Sequence, residues 1–397
     1  MKNFLMQWII VLILIPAFSS AEDANTIENQ YIDKMAAVFS YVDSGAVWPD
    51  FNMKEMPIFF YFQSKHVYAF NFNPLRPELK ATHWVPVIAD DKSTPYSSAI
   101  YLQEKDENGL DQVSTYKKYD FPTMPPHGSL CVVTGIYNPF AFRDLYEQDS
   151  FVLRVLNNGP HQTISGQDDI TRTIKQIFHH NYLEKKLAWV KTYNQSSPGN
   201  MHDIANVATN NNVLYNITFI YLQVEKLRKY LIDNDEEALI DYVAIYLYRH
   251  EILNWRDGAY ELAKEDSIGL SSYVGLKSQQ LADDIYKKKV IQKIGKCTSA
   301  TLEFSPDDGS SQCLEHDYFE FTGAGVGYAL DKLSKDDGWK KLVADSNVSS
   351  ASSFNDQLVK VIIAKKSLTY DQLIARVEQL KSSEAYNRIF KDILNRA

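Results

Sequence analysis

The spacing of apolar residues predicts a change of structure along the chain. Four apolar residues recur at helical intervals near the N-terminus and predict an amphipathic helix that ends near Gly45: Tyr31, Met35, Val38 and Val42. Between residues 50 and 135 the pattern changes to aromatic and β-branched runs, such as 57–62 and 67–72, separated by short polar stretches. Such runs are typical of hairpins. We therefore expect a small, largely antiparallel sheet there.

From residue 138 onward, apolar residues recur with the 3.6-residue period of α-helices. The helical segments that this period predicts are 140–157, 167–194, 204–232, 236–264, 266–288, 323–334, 353–366 and 370–394. The last begins with Thr369 and Gln372 at the spacing of a capping box. The predicted fold is α+β: an N-terminal α+β region, 22–137, with a small antiparallel sheet, packed on a larger, mainly helical region, 138–397.

The first 21 residues have the pattern of a secretory signal peptide. Lys2 is followed by the apolar run 8–15 and by small residues that end at Ala21, where we expect cleavage. The protein is then exported, to a periplasm or to the exterior. Beyond this segment, we find no run of the roughly 20 apolar residues that a membrane span requires, and we expect no transmembrane segment after cleavage.

The charge of the chain excludes one class of partner. The 397 residues carry a formal net charge of −9, and removal of Lys2 with the signal peptide makes the remainder more acidic. An acidic surface without a dense basic patch does not attract phosphate backbones, so we expect no nucleic-acid partner. With 45% hydrophobic residues, the chain can bury a substantial core.

Three cysteines are present in the sequence: Cys131, Cys297 and Cys313. In an oxidising compartment, Cys297 and Cys313 can close a loop through the polar segment between them, and we predict this disulfide. Cys131 lies in an apolar run and is interpreted as a buried thiol.

The segment 173–189 is helical in pattern and has adjacent histidines, His179 and His180, near its centre. Zinc peptidases place His-Glu-x-x-His on such a helix, because residues four apart share a face and the glutamate serves as general base toward a zinc-bound water. In this chain the corresponding five residues are His-His-Asn-Tyr-Leu, ending at Leu183. The pattern retains the setting of a metal helix without its chemistry.

Several stretches together resemble a group of exported bacterial proteins with a gluzincin-type zinc-peptidase helical domain. Members have, in order, a Trp-Pro-x-Phe segment before a hairpin, a His-Glu-x-x-His helix, a Glu-Gly-Leu-x-x-Tyr helix and a glycine-rich helix that leads to Gly-Trp-Lys. The corresponding stretches here cover most of the chain beyond the signal peptide: Trp48–Phe51, His179–Leu183, Ile268–Tyr273, Gly323–Leu333 and Gly338–Lys340.

The resemblance implies that the inherited zinc centre is damaged. His179 matches the first ligand, His180 replaces the general-base glutamate, Leu183 replaces the second ligand and Ile268 replaces the third-ligand glutamate. One imidazole is too few donors for the usual three-ligand site. The resemblance therefore predicts no catalytic residue and no cofactor. The leading hypothesis is a non-catalytic protein that binds a peptide or protein ligand or serves as a scaffold.

Two alternatives remain open. The first is an active metal-dependent hydrolase, a peptidase with zinc as its cofactor and with shifted ligands drawn from His179, His180, Glu184, His250 and Glu265. His180 and Glu184 share a helix face, but an exposed polar pair explains them as well. His250 and Glu251 begin a His-Glu-x-x-Asn sequence, for which a surface helix anchored by Trp255 is the simpler interpretation. The second alternative is a purely structural envelope or secreted protein.

The glycine-rich run Gly323–Gly327 is not interpreted as a phosphate loop. It lacks the Gly-Lys-Ser/Thr ending and a clear βαβ unit, so we expect close helix packing through small residues instead. The chain also has no Gly-x-Ser-x-Gly elbow, so no motif supports serine-hydrolase chemistry.

Overall fold

A computed structural model describes part of the chain. The described residues are 24–53, 58–62, 67–70, 84–88, 100–103, 131–136, 151–156, 167–183, 211–253, 261, 264–295, 297, 318–334, 336–344 and 353–395. The predicted signal peptide lies outside them. No helix in these ranges is both long enough and apolar enough to cross a membrane.

Helices make up most of the described chain. They are α1 (Ala24–Asp43), α2 (Gln167–Ile177), α3 (Asn211–Asp233), α4 (Glu236–Leu247), α5 (Leu270–Lys277), α6 (Asp283–Ile294), α7 (Tyr318–Leu333), α8 (Gly338–Ala344), α9 (Phe354–Lys366), α10 (Tyr370–Lys381) and α11 (Glu384–Leu394). Three π-helical turns adjoin them: Phe178–Leu183 continues α2, Tyr248–Ile252 continues α4, and Glu265–Gly269 leads into α5.

Local capping residues explain where several helices begin. Asp235 accepts hydrogen bonds from the backbone of Glu237 and Ala238 and starts α4. The capping box predicted at Thr369 and Gln372 is confirmed, since each side chain accepts from the backbone of the other. Such reciprocal bonds satisfy backbone donors that the first helical turn leaves open.

The predicted α+β fold class, with a small antiparallel sheet near the N-terminus, is wrong. The described side chains belong almost entirely to helices, so the protein is helical. The backbone of six short strands is described: β1 (Ile58–Phe62), β2 (Val67–Phe70), β3 (Trp84–Ile88), β4 (Ile100–Gln103), β5 (Cys131–Ile136) and β6 (Phe151–Leu156). They pair in the mixed order β3-β4-β2-β1-β6-β5. The strands β1 to β4 pair antiparallel, but β1 also pairs in parallel with β6, which lies in the region predicted to be helical, so the sheet is mixed and is not confined to the N-terminal region.

Several predicted helix boundaries are corrected. Residues 151–156, expected to be helical, form β6. The predicted helix 266–288 is interrupted between α5 and α6, where Gln280 adopts a positive φ of 51°. The predicted helix 370–394 is interrupted at Ser382 and Ser383, and Ser383 caps α11. Helix α8 begins at Gly338, where the sequence analysis predicted no helix.

The hydrophobic core joins the N-terminal segment to the helices. Trp48, in the turn after α1, packs edge-on against Phe178 at a ring-centroid distance of 5.7 Å and against Trp339 of α8 at 5.7 Å. Phe51 packs against Phe178 at 4.9 Å. Aromatic pairs at such distances favour edge-to-face contact, so this cluster fixes α1 against the turn that carries His179.

Helix α7 packs closely on its neighbours through glycines. A methyl group at Gly327 would lie 2.2 Å from Cδ2 of Tyr273, and one at Gly325 would lie 2.9 Å from Cδ2 of Leu227. The predicted close helix packing through the glycine-rich run is confirmed.

Candidate functional site

The degenerate motif forms a π-helical turn, Phe178–Leu183, at the end of α2. Phe178 and Tyr182 stack at a ring-centroid distance of 5.1 Å, and both are buried. His179 remains partly exposed between them. Because π-helical hydrogen bonds join residues five apart rather than four, this turn does not keep the i, i+4 face that a His-x-x-x-His pair requires.

The two ligand positions that the resemblance assigns beyond His179 hold apolar side chains in the core. Leu183 is 0% exposed. Ile268 lies on the turn Glu265–Gly269, is partly buried and packs against the core. The turn that carries Leu183 packs against the turn that carries Ile268. The fold therefore brings together the elements that the resemblance aligns, but their side chains do not fit a zinc ion.

A buried ion pair dominates the polar interior nearby. Arg249 is 1% exposed, and its Nη2 donates to both carboxylate oxygens of Glu261, at 2.7 and 2.6 Å. Its Nε donates to Asn216 Oδ1 at 2.8 Å, and its Nη1 donates to Gln223 Oε1 at 2.8 Å. Burial opposes the charge of Arg249, but the Glu261 carboxylate raises the pKa of the guanidinium above its ordinary value. A charge in this setting is stable because it is paired and hydrogen-bonded.

Glu265 and Asp266 are buried beside the start of α9. Glu265 Oε2 accepts from Asn355 Nδ2 at 2.7 Å, and Asp266 Oδ1 accepts from the backbone N–H of Phe354 at 2.8 Å. Burial raises the pKa of Glu265 well above its ordinary value, and burial raises the pKa of Asp266 to about 8. Burial therefore disfavours the charged form of both carboxyl groups, and the charged form is the one that binds a metal ion.

His250 lies on the π-helical turn after α4. Its ring packs on that of Tyr246 at 4.5 Å between centroids. Its Nε2 lies 3.7 Å from Glu261 Oε2 and has no hydrogen-bond partner among the described residues. Burial and the neighbouring charge of Arg249 lower the pKa of His250 to about 3, so the imidazole is neutral at physiological pH.

The segment interpreted as a surface helix has one buried side and one exposed side, since Ile252 is 51% exposed. Tyr248 and Arg249 are buried, and the His250 side chain is 12% exposed. Trp255, the proposed anchor, lies outside the described residues. Sequence reasoning also missed Arg249 and Glu261 as partners, since nothing in the sequence indicates their bidentate contact.

The proposed alternative metal ligands do not converge where the structure describes them. Within the described ranges, no group of three His, Cys, Asp or Glu side chains is arranged to hold a metal ion. The side chain of His180 and all of Glu184 lie outside those ranges, so the predicted polar pair stays a prediction. Cys297 is buried and Cys313 lies outside the described residues, so their predicted disulfide also stays a prediction.

All three π-helical turns in the described chain bear a candidate residue: His179, His250 or Glu265. Such turns occur frequently at functional sites, where the extra residue redirects a side chain. Comparison with protein-family models, characterised proteins and solved structures found no match to this chain. The gluzincin-type resemblance therefore stays a prediction from the sequence.

Proposed function

We propose that this chain is an exported, non-catalytic relative of a gluzincin-type zinc peptidase that serves as a peptide- or protein-binding protein or as a scaffold. The observation that supports this proposal is the pair of apolar side chains, Leu183 and Ile268, at two of the three zinc-ligand positions. Neither side chain has a lone pair to donate, and His179 alone does not complete a zinc site.

The state of the nearby carboxyl groups supports the same conclusion. Glu261 and Glu265 are each 1% or less exposed, so a substrate peptide has no direct access to them. Glu261 is already paired with Arg249 through both oxygens. A general base must reach the attacking water, and neither carboxyl group does so from this interior position. His179 remains partly exposed, so a ligand can reach that turn without meeting a hydrolytic centre.

The experiment that tests this proposal measures zinc content and peptide hydrolysis on the purified protein. We expect zinc well below one equivalent per chain after dialysis, and no cleavage of unfolded casein with or without added zinc. One tightly held zinc per chain, together with cleavage that is lost on His179→Ala, contradicts the proposal. A peptide that binds without being cleaved favours a binding role over a purely structural one in the envelope.

A second variant tests the ancestry separately. The triple substitution His180→Glu, Leu183→His and Ile268→Glu restores the residue types of the inherited motif. We expect it to bind zinc more tightly than the wild type, and the same variant with His179→Ala to lose that gain. Far-ultraviolet circular dichroism verifies that both variants stay helical. Equal, weak zinc binding by the two folded variants contradicts the alignment of these four positions.

The export prediction has its own measurement. Expressed with its full sequence in a Gram-negative host, the protein is expected outside the cytoplasm, with Glu22 as its first residue. Protein that stays in the cytoplasm and retains Met1 contradicts this part of the proposal.

The alternative, a metal-dependent hydrolase, has one observation in its favour. The buried Nε2 of His250 lies 3.7 Å from Glu261 Oε2 and has no partner among the described residues. The position of Arg249 argues against this alternative. A divalent cation at Glu261 would lie next to a buried guanidinium and be repelled by its charge. If the purified protein holds a metal ion, loss of that ion in His250→Ala and its retention in His179→Ala favour this alternative.

A further inference from the structure

A pocket of about 470 Å³ lies where α2, α5, α6 and α7 meet. Its size is in the range of small-molecule sites in proteins. Its walls include three lysines, Lys175, Lys289 and Lys293, and two apolar side chains, Leu276 and Phe321. None of these is among the candidate zinc ligands, so the pocket is separate from the positions of the inherited zinc centre.

The charge of the pocket is opposite to that of the chain. Of the described residues that line it, three are lysines and one, Glu320, is acidic, whereas the whole chain has a formal net charge of −9. Lys175 Nζ pairs with Glu320 Oε2 at 2.6 Å. Burial and the nearby charge of Lys289 lower the pKa of Lys34 in α1, so Lys34 adds to the positive charge around Lys289 although it does not line the pocket. A concave site with this excess of positive charge attracts anions.

Ser272 provides a buried hydrogen-bonding group at the wall of the pocket. Its side chain is 2% exposed, and its Oγ has no hydrogen-bond partner in the described part of the chain. By contrast, Ser271 Oγ donates to the carbonyl of Ser267 at 2.6 Å, and Ser278 Oγ donates to that of Gly275 at 2.7 Å. A buried hydroxyl without a partner costs about 1–3 kcal/mol. The hydroxyl is closed off from solvent in this conformation, so the Ser272 side chain must rotate toward the pocket before a ligand oxygen accepts its hydrogen bond and removes that cost.

The apolar part of the wall indicates what else the ligand contains. Lys293 Nζ lies 5.4 Å from the ring centroid of Phe321, so its ammonium group and the ring face the same space. Leu276 lies on α5, one turn after Ser272. An inorganic anion would leave these apolar surfaces uncovered, whereas an organic acid covers them.

We propose that this pocket binds a small organic carboxylate. The carboxylate group is held by the lysine ammonium groups and accepts a hydrogen bond from Ser272, and the apolar body of the ligand lies against Leu276 and Phe321. The same chemistry occurs in a free aromatic acid and at the C-terminus of a peptide with an apolar last residue.

Isothermal titration calorimetry on the purified full chain tests the proposal with three probes. Benzoate represents a free acid, N-acetyl-leucine represents a peptide C-terminus, and inorganic phosphate represents an anion without an apolar body. We expect at least one carboxylate to bind more tightly than phosphate. Tighter binding of benzoate indicates a free acid as the ligand, and tighter binding of N-acetyl-leucine indicates a peptide C-terminus. Phosphate binding as tight as that of both acids overturns the proposal, and so does the absence of binding by both acids at millimolar concentration.

Matched variants locate the binding. We expect Ser272→Ala and Lys289→Gln each to weaken carboxylate binding about tenfold, the size expected for one hydrogen bond to a charged group. Ser271→Ala and Lys288→Gln are the controls on the same helices and keep wild-type affinity. Ser272→Ala removes an unpartnered hydroxyl, so its unfolding midpoint is expected to equal or exceed that of the wild type. Unchanged affinity in both Ser272→Ala and Lys289→Gln overturns the proposal.

Discussion

Gly269 and Gly323 meet backbone to backbone: a methyl group added at Gly323 would lie 2.2 Å from the Cα of Gly269. Gly269 ends the turn that begins at Glu265, and Gly323 lies in α7. This contact fixes the turn that carries Glu265, Asp266 and Ile268 against the centre of the helical body. The polar interior therefore depends on a packing contact that leaves no room for a side chain at Gly323 and little room for one at Gly269.

The substitution Gly323→Ala is expected to destabilise the protein by at least about 2 kcal/mol, because overpacking a close helix contact forces the backbones apart. The measurement is the urea midpoint of unfolding. Gly295→Ala is the control: Gly295 has a φ of −61° at the end of α6, and an added methyl group would meet first the Ile291 carbonyl of its own helix, at 3.1 Å. Equal midpoints for the two variants contradict the close contact.

Sequence patterns predicted the local features of the fold better than its long-range pairings. The capping box at Thr369 depends on four consecutive residues, so the sequence contains the whole feature. The pairing of β1 with β6 joins segments about ninety residues apart, and no short pattern indicates it. The break at Gln280 was missed because neither glycine nor proline marks its positive φ.

The candidate site was predicted less completely than the fold. The apolar residues at Leu183 and Ile268 are visible in the sequence, and so is their conflict with zinc binding. The sequence does not reveal the partners of Arg249, because they come from three other helical segments that meet only after folding. Burial, which sets the protonation of His250 and Asp266, likewise follows from packing and not from neighbouring residues in the chain.

The ion pair between Arg249 and Glu261 is expected to show strong coupling in a double-mutant cycle. Arg249→Met removes the bidentate partner of the buried Glu261 carboxylate and is expected to cost about 3–5 kcal/mol of unfolding free energy. Combining it with Glu261→Leu removes both charges and is expected to recover most of that loss. The cycle is measured by urea unfolding at pH 7. Additive losses in the double variant contradict the interpretation that the penalty comes from a buried carboxylate that has lost its guanidinium partner.

His250 is expected to make the protein less stable in mild acid. Burial and Arg249 lower its pKa from 6.5 to about 3, so the unfolded chain takes up a proton that the folded chain refuses. Stability therefore falls as the pH drops from 6.5 toward 3, by about 2 kcal/mol at pH 5. His250→Phe keeps a ring against Tyr246 without a titrating group, and its loss of stability between pH 7 and 5 is expected to be smaller by that amount. Lys288→Gln is the surface control, and a wild-type pH profile for His250→Phe contradicts the assignment.

Asp266 is expected to make the protein less stable as the pH rises, which is the opposite of the effect of His250. Burial raises its pKa from 3.8 to about 8, so the folded chain retains a proton that the unfolded chain releases, and stability falls as the pH rises through this interval. Asp266→Asn removes the titrating group, and the amide oxygen still accepts the bond from the backbone of Phe354.

The stability of Asp266→Asn relative to the wild type is therefore expected to increase by about 2–3 kcal/mol between pH 5 and pH 7. Urea unfolding at both pH values measures the difference, with the exposed Asp371→Asn as control. Because the relative stability of His250→Phe must instead increase as the pH falls, the two variants give slopes of opposite sign. A constant difference between Asp266→Asn and the wild type across this range contradicts a protonated, buried Asp266.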